Sequence, residues 1–364
     1  ANSTVSVAGT QLTLSGIVSG TGALTKTGNG ILVLSNTNTY GGGTTLSAGT
    51  LNLGSAGAIG TAGTISFGGG TLQHSANNTI DYSDRFSSAN NQAYRIDTNG
   101  QTVTLAAALS SNGGTLTKLG NGVLILSGAN SYTGTTTVST GTLRLANASA
   151  LGTAAAGTTV SNGAVLDLNG QAIANAEALT LNGTGISTTG ALINSAEGEG
   201  SAASYAGLIT LNTASSIGGA GNITLSAAIS GSSLTKVGAN ILILSGNNSY
   251  SGGTNLNGGI LRLDSANAIG TTGSIVFGGG TLQYTANNAT DYSGRFTSTA
   301  NQPYRIDTNG RNVTLASALN SSGGSLTKLG TGTLTLSGNN SYNAGTNINA
   351  GTLSLNSANA IGSS

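Results

Sequence analysis

The chain has no cysteine, methionine or tryptophan, one proline (Pro303) and one histidine (His74) in 364 residues. Without cysteine there is no disulfide framework and no thiolate zinc site. Its absence also fits export, where unfolded passage and disulfide formation conflict. Charge is nearly as scarce: 6% of residues are charged and the net charge is +1. Such a chain has no long-range field to steer nucleic acid or an acidic surface. No two basic residues are adjacent, which removes the basic-patch reading, so no nucleic-acid partner is expected. The apolar runs fall far short of the ~20 residues that span a bilayer. From Ala1 onward the sequence is polar and lacks a basic start, so no signal peptide is read there. Leu, Ile, Val and Phe total 79 residues, a little above the level of roughly one fifth below which disorder is expected. Low net charge and regular apolar spacing point to a folded chain.

What is present in quantity is glycine, 60 residues, and repetition. One phrase occurs four times. Leu24-Thr25-Lys26 leads to Leu34-Ser35, Tyr40 and Gly49-Thr50-Leu51-Asn52-Leu53, and the order returns from Leu116, Leu234 and Leu326. Its lysines, Lys26, Lys118, Lys236 and Lys328, are 92, 118 and 92 residues apart, so the pattern recurs at 210 residues. Between Thr61–Gly100 and Thr271–Gly310, 28 of 40 positions are identical. Repeats of this kind signify a solenoid, in which each unit buries its apolar face only against its neighbours.

Apolar residues alternate over three to five positions, as in Ile31-Leu32-Val33-Leu34, bounded by Gly, Asn and Ser. That is the signal of short half-buried strands. Almost no helix is expected, Ala172 to Ala178 being the one weak candidate. Corresponding strands return after 19 to 21 residues, a length that fits three short strands and three turns per coil. The fold class read from this is all-β, a right-handed parallel β-helix of about 18 coils. Leu32, Leu34, Leu51 and Leu53 should point inward, Thr50 and Asn52 outward. One continuous solenoid over 1–364 is expected, with modules at about 24–115, 116–233, 234–325 and a truncated 326–364. The 118-residue module lacks the Asp-Tyr-Ser and Tyr-Arg-Ile-Asp stretches and has Glu177, Glu197, Glu199 and Tyr205 instead. Glu197 to Ser201 reads as a loop leaving the solenoid. The pattern stops in mid-module after Gly362, so the chain reads as a piece of a longer protein or a subunit continuing into a neighbour.

The phrase Leu-Thr-Lys-x-Gly-x-Gly-x-Leu-x-Leu-Ser-Gly-x-Asn-x-Tyr-x-Gly-x-Thr, followed by Gly-Thr-Leu, resembles the passenger-associated repeat of bacterial autotransporters. It is nearly complete at Leu116–Leu143 and Leu326–Leu353. At Leu234–Leu261, Ala239-Asn240 and Gly259-Ile260 depart from it; at Leu24–Leu51, Asn36 replaces a glycine. The resemblance implies a secreted passenger on the surface of a Gram-negative bacterium, exported through a C-terminal outer-membrane barrel outside this chain.

Few residues could perform chemistry. His74 has Tyr284 as its counterpart 210 residues on, an exchange that a working base or metal ligand in both copies would not accept. Arg95 with Asp97, Asp81 with Arg85, and their copies Arg305, Asp307, Asp291 and Arg295 could suggest a calcium-assisted polysaccharide lyase. They are read instead as local ion pairs fastening a loop, with too few carboxylates per copy for six to eight oxygen ligands. Asp84, moreover, becomes Gly294. Gly68-Gly69-Gly70 and Gly278-Gly279-Gly280 lack the lysine of a phosphate loop and read as turns. The four lysines are several coils apart, too far for a basic patch. Tyr40, Tyr132, Tyr250 and Tyr342 could stack on sugars but are read as covering a coil corner. No catalytic, cofactor-binding or metal residue is assigned, and no cofactor is expected. The function expected is an extracellular structural or adhesive stalk or fibre. Its alternatives are a carbohydrate-active β-helix enzyme and a subunit of a self-assembling filament. Expected partners are copies of itself or the continuing chain end to end, and surface glycans or a host or neighbouring cell surface.

Overall fold

A computed structural model describes residues 1–198 and 200–362. Glu199 lies outside the described residues; beside it Glu197, Gly198 and Gly200 are exposed and without strand structure, as a loop requires. The chain is all-β, with parallel coils stacked into a β-solenoid of about 17 turns in total. Among the described residues there is no α-helix, only single 3-10 turns at Ser83–Arg85, Ile186–Thr188 and Ser293–Arg295. The segment 172–178, the weak helical candidate, holds instead the short strand Ala172–Ile173. Ile173 is its one buried apolar residue, so no 3.6-residue apolar spacing supports a helix. The fold divides into two compact units, Ala1–Leu179 and Thr180–Ser364.

In the first unit, alternation sets the core. Strand Ile31–Leu34 pairs in parallel with Thr50–Leu53, placing Leu32 over Leu51 and Leu34 over Leu53. All four are fully buried, while Thr50 and Asn52 on the other parity are half-buried. Each fully buried leucine contributes about 1.5–3 kcal/mol relative to exposure. The coil that starts at Leu24 holds two strands rather than the three expected, whereas the coil that starts at Thr158 holds three, Thr158–Val160, Val165–Asp167 and Ala172–Ile173. After Leu24–Thr27 and Ile31–Leu34, the third side runs through residues 35–43 with no strand. There the side chain of Asn38 supplies bonds that a strand ladder would otherwise make: its Oδ1 accepts from Val18 N at 2.7 Å, and its Nδ2 donates to Ala58 O at 2.6 Å.

The phrase does not stay on one side of the coil. Leu24–Thr27 belongs to a row with Ser3–Ser6, Thr44–Leu46 and Ile65–Phe67. Its copy Thr115–Leu119 sits in the row of Ile31–Leu34, Thr50–Leu53, Thr71–Gln73 and Ala93–Asp97. Val123–Leu126 then starts from Thr102–Leu105 in a third row. Within this unit a 92-residue module therefore ends one side further round than it began. The change occurs where Thr71 stacks under Arg95, 24 residues on, after Phe86 has touched Ile65 on the first row. The second unit repeats the arrangement. Leu234–Lys236 follows Ile209–Gly219 and precedes Thr254–Leu256, whereas Ser325–Leu329 lies in the row of Ile241–Leu244, Ile260–Leu263, Thr281–Gln283 and Pro303–Asp307.

Candidate functional site

The recurring residues of the phrase are buried. Lys26, Lys118, Lys236 and Lys328 have no exposed surface. The Lys26 ammonium donates to Thr27 O (2.7 Å), Gly28 O (2.7 Å) and Ala48 O (3.1 Å), the last on the following coil. Lys118 does the same with Leu119, Gly120 and Thr140, and Lys328 with Leu329, Gly330 and Ala350. Three N–H donors meet three carbonyls, so the ammonium is satisfied without water. Lys236 gains a fourth oxygen, Asn240 Oδ1 at 2.8 Å, from the residue that departs from the usual phrase. Burial pushes the Lys118 ammonium down to about 8, with Asp97 opposing the shift, and Lys236 down to about 7. Lys26 and Lys328 are lowered for the same reason. These lysines are clamps between coils. Sequence reasoning placed them too far apart for a patch but missed their burial. The signal was in the parity: Lys26 lies two residues from inward Leu24 on one strand, hence on the same side.

The glycine of Gly-Thr-Leu has its cause in the same clamp. Gly49 has φ +64°, and a Cβ there would run into the carbonyls of Gly28 and Gly30 and then Lys26 Nζ at 2.7 Å. Gly141, Gly259 and Gly351 meet the same obstacle against their own lysines. The tyrosines are equally enclosed. Tyr40, Tyr132, Tyr250 and Tyr342 are buried, and each hydroxyl bonds a threonine four residues on, at 2.5–2.8 Å. They pack the strandless corner, and their rings are closed to a sugar.

The acidic and basic residues of the long coil do not pair with one another as expected. Asp81 accepts from Ser83 N and Ala106 N, both at 2.8 Å. Arg85 donates to Gly63 O and Ala62 O and lies 5.8 Å from the Tyr82 ring centre. Asp97 accepts from Gln73 Nε2 and Asn99 N, while Arg95 reaches Thr71. Residues two apart on a strand stand about 7 Å from each other, and for Arg95 and Asp97 the side chains of Thr71 and Gln73 on the preceding coil are nearer. Loop-fastening is the role, by backbone capture for Asp81 and Arg85 and by side-chain bonds between coils for Arg95 and Asp97. Among the described residues the one ion pair is Arg144 Nε to Asp167 Oδ2, 2.7 Å. It was not anticipated; one coil of separation between an arginine and an aspartate is the signal that finds it.

His74 is buried, its Nδ1 3.2 Å from Asn78 O and its Nε2 without a partner. Burial lowers its pKa, so the ring is held neutral. Gly68 N and Gly70 N both donate to Leu46 O, which makes the triple glycine a turn laid on the coil below. Glu177 is buried and accepts from Thr158 Oγ1 at 2.6 Å; burial raises its carboxyl to about 7. No group of three or more His, Cys, Asp or Glu able to hold a metal occurs among the described residues.

Each clamp lysine and its glycine fall within a segment that matches a known repeat signature. The signature of the passenger-associated-transport-repeat matches residues 24–53, 116–145, 234–263 and 326–355. The adhesin BmaC autotransporter of Brucella suis biovar 1 (strain 1330) is 39% identical over 158 residues, 38% of this chain. The chain spans 4% of that relative's length. No solved structure matches. Four segments of this chain, each with its buried lysine, corner asparagine (Asn38, Asn130, Asn248 or Asn340), tyrosine and clamp glycine, carry the passenger-associated-transport-repeat.

Proposed function

We propose that the chain is a stalk segment of a cell-surface passenger of a Gram-negative bacterium, structural in its core and adhesive through its exposed turns. One observation supports this above others: the polar residues that recur in the phrase are buried and spent on holding one coil to the next. A repeat retained for catalysis would keep its reactive groups open to solvent. Here Asp81, Asp97 and Glu177 lie on separate turns and strands, each engaged by groups of the chain itself. The absence of cysteine suits export, and the relative named as an adhesin supports attachment as the role. The test is immunogold electron microscopy of source cells with an antibody against this chain. Label on unpermeabilised cells is the expected result; label only after permeabilisation overturns the proposal. A regular axial repeat along fibres would assign the chain to a filament, and a coat of separate projections to a passenger stalk.

A further inference from the structure

The two long coils are near copies, and two of the positions at which the copies differ line one cleft. In the second copy a cleft of about 410 Å³ opens beside Arg295, within the ~300–1,000 Å³ range of small-molecule sites. Asn267, Thr271, Thr290 and Asp291 form its polar rim, with Tyr292 and Arg295 beneath. In the first copy Asn267 is replaced by Gly57 and Thr290 by Ile80, while Thr61, Asp81, Tyr82 and Arg85 are retained. Ile80 is 45% exposed there, an apolar side chain where the second copy has a hydroxyl.

We propose that this cleft binds one neutral glycosyl unit. The side chains of Asn267, Thr271 and Thr290 are exposed and make no hydrogen bond among the described residues, leaving donors and acceptors for sugar hydroxyls. Asp291 accepts from Ser293 N, Ser293 Oγ and Ala316 N, three of about four acceptor positions, which leaves one for a ligand hydroxyl. Four of the five donors of Arg295 are taken by the carbonyls of Gly273, Ile269, Gly270 and Thr272. With its fork largely occupied and a carboxylate on the rim, the cleft disfavours a carboxylated, sulfated or phosphorylated sugar. Arg295 lies over one side of the Tyr292 ring and Tyr284 stacks beside it, so Tyr292 forms a rigid floor. The same rim in the first copy, with glycine and isoleucine, lacks the amide and one hydroxyl.

The inference rests on the adhesive reading and names its partner. Its test uses the whole chain on an array of neutral and anionic oligosaccharides, beside the double variant Asn267→Gly/Thr290→Ile. That variant copies residues the first coil already tolerates, and its melting curve checks folding. Binding to neutral glycans that falls about tenfold in the variant is expected. No neutral-glycan binding, binding equal in wild type and double variant, or binding confined to anionic glycans would overturn the inference. Chain that still coats target cells without binding the array would sink this site alone and leave the adhesive reading standing.

Discussion

At the scale of single residues, the phrase places an ammonium where a leucine would be expected. An unpaired buried charge costs several kcal/mol, and the clamp is stable because carbonyls of two coils converge on Nζ. Lys118→Met keeps the length and removes the donors, stranding the carbonyls of Leu119, Gly120 and Thr140. A loss of about 2–4 kcal/mol is expected from urea denaturation; a change within 0.5 kcal/mol, roughly the surface-substitution level, would contradict the clamp. Glu177 gives a prediction with a pH sign. Its folded carboxyl is raised from 4.5 to about 7 by burial, with Thr158 opposing the shift. Between those values the folded state keeps a proton that the unfolded state has released. Its stabilising contribution is full below 4.5 and is lost as pH rises through about 7. Glu177→Gln should therefore be near neutral at pH 4 and stabilising by about 1–3 kcal/mol at pH 8. Paired urea titrations decide it, and an equal effect at both pH values would refute the burial argument.

At the scale of elements, strand parity was legible because Leu32, Leu34, Leu51 and Leu53 alternate with smaller polar residues. The strandless third side was not legible, because its hydrogen bonds come from Asn38 and its relatives rather than from an apolar pattern. The sideways advance of the phrase was equally hidden. It depends on one 24-residue step, Thr71 to Arg95, among steps of 19 to 22. The advance nevertheless makes a deletion experiment sharp. Removing residues 25–116 joins Leu24 to Thr117 and restores the phrase intact, so every coil that remains finds its partner. Far-UV circular dichroism per residue should be unchanged and thermal unfolding should remain cooperative. Removing residues 25–71 instead joins Leu24 to Leu72, bringing a second-row strand onto the first row and Leu72 into the outward position of Thr25. A single-residue change of parity moves the whole apolar set to the wrong face. The shorter deletion should lose its cooperative transition; two equally cooperative proteins would show that the rows are not fixed by the phrase.

For the whole molecule, low charge and buried lysine act together on proteolysis. The chain has eleven basic residues, and four of them are the clamp lysines with no exposed surface. Arg85, Arg95, Arg144, Arg262, Arg295 and Arg305 are half-buried, and hydrogen bonds hold each of them to a neighbouring coil. Arg311 alone is fully exposed, at the turn before strand Val313–Leu315. A protease needs several residues of extended, accessible backbone, which a strand inside a parallel ladder does not offer without local opening. The folded chain should therefore resist trypsin, and the first cut should fall after Arg311. Mass spectrometry of a limited digest reads this directly. A dominant early cut after any of the four lysines would mean that its coil opens on its own. The clamps would then be too weak to make the stack cooperative, and the structural role assigned to the repeat would fail with them.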